Sequence, residues 1–96
     1  MKQTINKETR ELFRAILSLT SEEECAAFFE DLCTIKEIQD LSQRLQVADM
    51  LNHGEKYQTI EQATGASTAT ISRVNKCLVY GSGGYRLVLD KQSESK

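Results

Sequence analysis

The run Thr59 to Leu78, TIEQATGASTATISRVNKCL, narrows most sharply what this chain can become. Apolar residues at helical spacing lead into Gly65-Ala66-Ser67 and resume directly after it. A break that short between two helices needs one left-handed residue, which glycine adopts at the lowest cost. Ile60, Ala63, Ala66, Ile71 and Val74 are spaced to close a small shared core across the turn. The positions left over, Thr68, Ala69, Ser72, Arg73 and Lys76, carry small polar and basic groups. A helix face of that kind enters a DNA major groove without steric conflict. The spacing predicts a helix-turn-helix over about 57–79, with the second helix as the reading element.

The rest of the chain reads as helical too, which makes the fold class all-α. There are 96 residues, no proline and 40% hydrophobic residues, so a single domain over 1–96 with a tail at 81–96 is expected. A core this small is marginal in isolation. Helix one is predicted from Lys7 to Leu19, with Leu12, Phe13, Ile16 and Leu17 on one face. Thr20-Ser21-Glu22-Glu23 then reads as a capping box with Thr20 as the acceptor. Helix two carries Cys25, Ala26, Phe28, Phe29, Leu32 and Cys33. Thr34-Ile35-Lys36-Glu37 is a second box, and helix three runs from Ile35 to Asn52 with the stripe Ile35, Ile38, Leu41, Leu45, Ala48 and Leu51. His53-Gly54 closes it, with glycine suited to the C′ position. Tyr80 to Gly84 breaks regular structure. Beyond it, Tyr85-Arg86-Leu87-Val88-Leu89 fits either a helical turn or an extended arm, and Gln92 to Lys96 is expected to fray. The apolar faces of the first three helices exceed what two short C-terminal helices can bury. A dimer with interleaved N-terminal helices is therefore expected.

Net charge is only −2, so nothing global announces a nucleic-acid partner. Its distribution is more telling. Residues 1–40 hold nine Asp/Glu against five Lys/Arg, while residues 41–96 hold five against seven. A basic C-terminal part is the sign expected if only that part meets phosphate. Cys25 and Cys33 stand eight apart, roughly 12 Å along a helix and too far for a disulfide. With Cys77 they make an odd set, and neither they nor His53 shows metal-ligand spacing, so no metal site is expected. No apolar signal core or transmembrane run appears, so a reduced, cytoplasmic protein that avoids membranes is expected. No nucleophile–base pair, carboxylate pair or glycine-rich phosphate loop stands in a catalytic arrangement, which argues against an enzyme and leaves no catalytic residues to name.

Thr68, Ala69 and Ser72 are the base-edge candidates, since hydroxyls donate or accept and methyl groups meet thymine. Arg73 and Lys76 suit phosphate or guanine, and Lys56 and Gln58 could clamp the backbone at the start of the first reading-head helix. Taken with Thr34, Arg44 and Gly54-Glu55, the segment GASTATISR resembles the turn and recognition helix of the Trp repressor family. LSQRL, continuing to LNHGE, is similar to the helix before that family's reading head, and the likeness is specific from Thr34 to Cys77. The ending GGYRLVLD looks like the YerC/YecD-type branch of the family.

The resemblance implies a Trp repressor-like helical bundle and an intertwined homodimer. Its two reading heads would meet successive major grooves of a near-palindromic operator, roughly 34 Å apart. It also implies a corepressor site, whose matching positions here are Thr34, Arg44 and Arg73. Two guanidinium groups can sandwich an aromatic ring and hold a carboxylate. Val74, however, stands where the family has a glycine that leaves flat space for an indole, and Cys77 replaces a small hydroxyl residue. Tryptophan is disfavoured on both counts; no cofactor is expected, and a small-molecule effector is left open. The expectation is a sequence-specific DNA-binding transcriptional repressor that binds double-stranded DNA as a homodimer. The alternative is a helical adaptor whose helix-turn-helix binds a protein partner.

Overall fold

The computed structural model describes residues 5–94. Among them are six helices: α1 (Lys7–Leu17), α2 (Glu22–Leu32), α3 (Ile35–Asn52), α4 (Tyr57–Thr64), α5 (Thr68–Tyr80) and α6 (Gly84–Glu94). They fall into two compact units, one up to Ile38 and one from Gln39 onward, with the division inside α3.

Local side-chain chemistry sets the helix ends in the first unit. Asn6 caps α1 by accepting from the Thr9 N–H at 2.8 Å. The helix stops at Leu17, two residues before the expected Leu19. The Ser18 N–H donates to the Arg14 and Ala15 carbonyls and its hydroxyl donates to Ala15 at 2.6 Å, which closes the last turn. The cap of α2 is Ser21 rather than Thr20, one residue later than expected. Ser21 Oγ accepts from the Glu24 N–H at 3.1 Å, while the Glu24 carboxylate takes the Thr20 N–H at 2.8 Å and its hydroxyl at 3.2 Å. Both hydroxyl residues are thus used, but the one nearer the helix holds the cap. The box at Thr34 forms as expected: Thr34 Oγ1 accepts from the Glu37 N–H at 3.0 Å, and a Glu37 carboxylate oxygen accepts from the Thr34 N–H at 2.8 Å. Neither α1 nor α2 has a buried residue. Leu17 is 81% exposed and Ile35 76%, although both belong to apolar stripes.

The second unit contains the core. Val47 and Ala48 of α3, Ile60 of α4, Ala66 of the turn, Ile71, Val74 and Leu78 of α5, and Leu89 of α6 are all buried. Met50, Leu51, Tyr57 and Tyr85 pack around them. The α3 stripe splits: Ala48 joins the core and Leu51 packs against it, whereas Leu41 and Leu45 stay exposed. Val47, which lies outside the expected stripe, is fully buried. The tail is neither an arm nor a single turn but an eleven-residue helix, α6. Leu89 inserts into the core, and Arg86 Nη1 donates to Asn52 Oδ1 at 3.2 Å. That anchoring carries the helix through Gln92 to Glu94, where fraying was expected, while residues 95–96 lie outside the described ones. No described helix is long and apolar enough to cross a membrane.

Candidate nucleic-acid interface

The turn between α4 and α5 is built by the Gly65 backbone and the side chains of Thr64, Gln43 and Ser67. Gly65 takes the left-handed conformation at φ 75° and ψ 4°, and its N–H donates to the Glu61 carbonyl at 2.9 Å. Thr64 Oγ1 donates to the Ile60 carbonyl at 2.7 Å and accepts from the Ala66 N–H at 3.1 Å. Gln43 Nε2 donates to the Thr64 carbonyl at 3.1 Å, so α3 satisfies a carbonyl that the end of α4 leaves open. Ser67 then caps α5 by accepting from the Thr70 N–H at 3.1 Å. The reversal carries α5 over Ile60 and Ala66 and leaves Ala63 exposed, so that residue does not join the shared core as expected.

Because each residue turns a helix by about 100°, the buried set Ile71, Val74 and Leu78 fixes where the rest of α5 faces. Thr68, Ala69, Ser72, Arg73 and Lys76 are all exposed. Lys56 occupies the cap position of α4 in an extended conformation without a side-chain cap bond, and Gln58 lies in the first turn. Both are exposed as well. One contact on this surface has no counterpart in the sequence reading. The Thr68 hydroxyl donates to the Glu61 carboxylate, which joins the first residue of α5 to α4.

Beside this face lies a cavity of about 250 Å³ lined by Arg44, Thr70, Arg73, Val74, Cys77 and Tyr85. It brings Arg44 and Arg73 to one site, and a pair of arginines suits a carboxylate or phosphate oxygen. Val74 is only 3% exposed, so the same side chain fills the core and forms part of the cavity wall. Tyr85 was not anticipated; it reaches the cavity because α6 docks on α5. Thr34 belongs to the other unit and is engaged with Glu37. Cys25, Cys33 and Cys77 are free thiols. His53 sits against its own helix, with Nδ1 2.8 Å from the Asp49 carbonyl.

Comparison with known proteins places this arrangement. The family model described as Trp repressor protein matches residues 7–93. The Bacillus subtilis (strain 168) protein YerC is 58% identical over 90 residues, covering 94% of this chain and 86% of that protein. A crystal structure of a TrpR-like protein from Eubacterium eligens ATCC 27750 superposes with TM-score 0.93 at 48% identity, covering 97% of this chain and 96% of that one. A second crystal structure, of a Staphylococcus aureus protein, gives TM-score 0.92 at 53% identity, covering 97% and 95%. All of α1 to α5 and nearly all of α6 fall within the matched span. The chain belongs to the Trp repressor family, which supports a DNA-binding regulator as its general class.

Proposed function

We propose that this protein is a transcriptional repressor that binds a near-palindromic DNA operator as a homodimer. One observation carries the reading: α5 turns Ile71, Val74 and Leu78 inward and leaves Thr68, Ala69, Ser72, Arg73 and Lys76 exposed together. Arg73, Lys76, Lys56 and Gln58 supply phosphate contacts, which set affinity and register. Thr68, Ala69 and Ser72 are short enough to let the helix approach base edges.

The exposed apolar residues of the first three helices support the homodimer. Leu12, Phe13 and Leu17 of α1, Leu32 of α2, and Ile35, Leu41 and Leu45 of α3 all remain open to solvent in one chain. Apolar surface on that scale favours burial against another chain.

Arg44 and Arg73 suit a small anionic effector in the cavity they share. The Val74 side chain at its wall disfavours an indole, so operator binding needs no tryptophan. Selection of duplexes from a random DNA pool by the purified protein, without added ligand, tests the reading. An enriched near-palindrome whose affinity falls steeply with salt is the expected result. Absence of enrichment, with and without small metabolites, would instead favour a helical adaptor that binds a protein.

A further inference from the structure

We propose that Glu61 is a specificity-determining residue that makes Thr68 read a base carrying an exocyclic amine, adenine or cytosine. The inference rests on the DNA-binding reading above and deepens it by naming the base chemistry at one operator position.

The contact that carries it joins the two reading-head helices. Thr68 is the first residue of α5, is exposed, and belongs to the face proposed above to meet DNA. Its hydroxyl donates to the carboxylate of Glu61, four residues before Gly65 on α4. A hydroxyl has one proton to give and two lone pairs that accept. A carboxylate only accepts, so Glu61 fixes the direction of this hydrogen bond. With its proton committed, Thr68 Oγ1 offers DNA lone pairs alone.

The consequence follows from the edges that bases show in the major groove. Adenine presents its N6 amine and cytosine its N4 amine as donors, whereas guanine N7 and O6 and thymine O4 only accept. An accept-only hydroxyl beside a second acceptor-only group pairs with either amine and meets guanine or thymine lone pair to lone pair. Without Glu61 the Thr68 hydroxyl could turn and satisfy either kind of edge. The carboxylate therefore converts an indifferent side chain into one that tells an amine from a carbonyl. Its negative charge opposes phosphate and so adds nothing to general affinity, which is consistent with a role in choice.

The test measures affinity at fixed salt for duplexes carrying each of the four base pairs, in turn, at every position of the selected half-site. The wild type, Glu61→Ala, Thr68→Ser and Thr68→Val proteins are compared, with thermal melting confirming that each folds. The wild type should show one position at which adenine or cytosine is preferred over guanine or thymine by about tenfold. In Glu61→Ala that preference should fall to within about twofold, with preferences elsewhere intact and overall affinity equal or higher. Thr68→Ser should keep the preference, and Thr68→Val should lose it. If folded Glu61→Ala keeps the wild-type preference, the contact is only a brace between helices and the inference is overturned. The inference also falls if Thr68→Val leaves every preference unchanged. A wild-type protein that selects no DNA motif overturns the functional reading itself, and this proposal with it.

Discussion

Replacing Gly65 isolates how much of the reading head depends on one backbone conformation. At φ +75° this residue occupies the left-handed region, yet a Cβ built there meets nothing within 4 Å. Substitution therefore costs backbone energy and no collision. For alanine the left-handed conformation costs about 1–2 kcal/mol. The smaller entropy of its unfolded chain returns about 0.5 kcal/mol. The net loss is about 1 kcal/mol, or roughly 4–8 °C in Tm for a domain of this size. Asparagine, which tolerates that region better, should lose less, and β-branched valine should lose most. Gly81 gives the opposite control. Its φ of −82° suits any residue, but a Cβ there would collide with the Cys77 carbonyl oxygen. Asparagine should therefore rescue position 65 relative to alanine and fail to do so at 81. Thermal melting by circular dichroism at one fixed chain concentration reads both series, because self-association would make Tm depend on concentration. A Gly65→Asn protein that melts below Gly65→Ala, or a Gly65→Val protein that melts with the wild type, would refute the backbone argument.

Three other substitutions probe different parts of the molecule. Arg73→Ala should weaken operator binding and reduce the slope of log affinity against log salt by about 1 if it meets one phosphate; unchanged affinity at fixed salt would rule out that contact. Leu17→Asp puts a charge on an α1 side chain that is 81% exposed in one chain, so it should spare the α4–α5 core while shifting sedimentation toward monomer. A variant that stays fully dimeric at micromolar concentration would count against α1 as part of the interface. Leu89→Ala removes the residue that anchors α6 in the core and should cost about 2–5 kcal/mol in denaturant unfolding. A loss below about 1 kcal/mol would mean that α6 adds little to the second unit.

The α4–α5 pair was legible because its signals are local. Gly65 marks the reversal, and Ile60, Ala66, Ile71 and Val74 keep helical spacing on both sides of it. The end of α3 was legible for the same reason, since Gly54 takes a left-handed φ of 82° directly after the last turn. The cap of α2 was misplaced by one residue because Thr20 and Ser21 are adjacent hydroxyls, and only geometry decides between them. The α6 helix was harder. Its short segment Tyr85–Leu89, apolar but for Arg86, follows a glycine-rich break and is too short to show a period, and Leu89 docks in the core. Tyr85 at the cavity is a consequence of that docking and inherits the same difficulty. Arg44 and Arg73 are 29 residues apart in sequence; spacing marked Arg73 but only family likeness paired it with Arg44, and the structure sets both at one cavity. The Glu61–Thr68 contact crosses the turn between two helices, where neither helical nor strand periodicity has any reach.

That no side chain of α1 or α2 is fully buried in one chain bears on dosage for a protein that acts as the proposed dimer. If a second copy covers their apolar faces, as proposed above, their stability is set by mass action. At chain concentrations below the dimer dissociation constant, the amount of assembled protein rises with the square of the chain concentration. Occupancy of a two-headed operator would then be steep in the amount of protein made, with no effector involved. A cell could silence or release such a site by modest changes in synthesis, because halving the chain in that regime leaves about a quarter of the dimer.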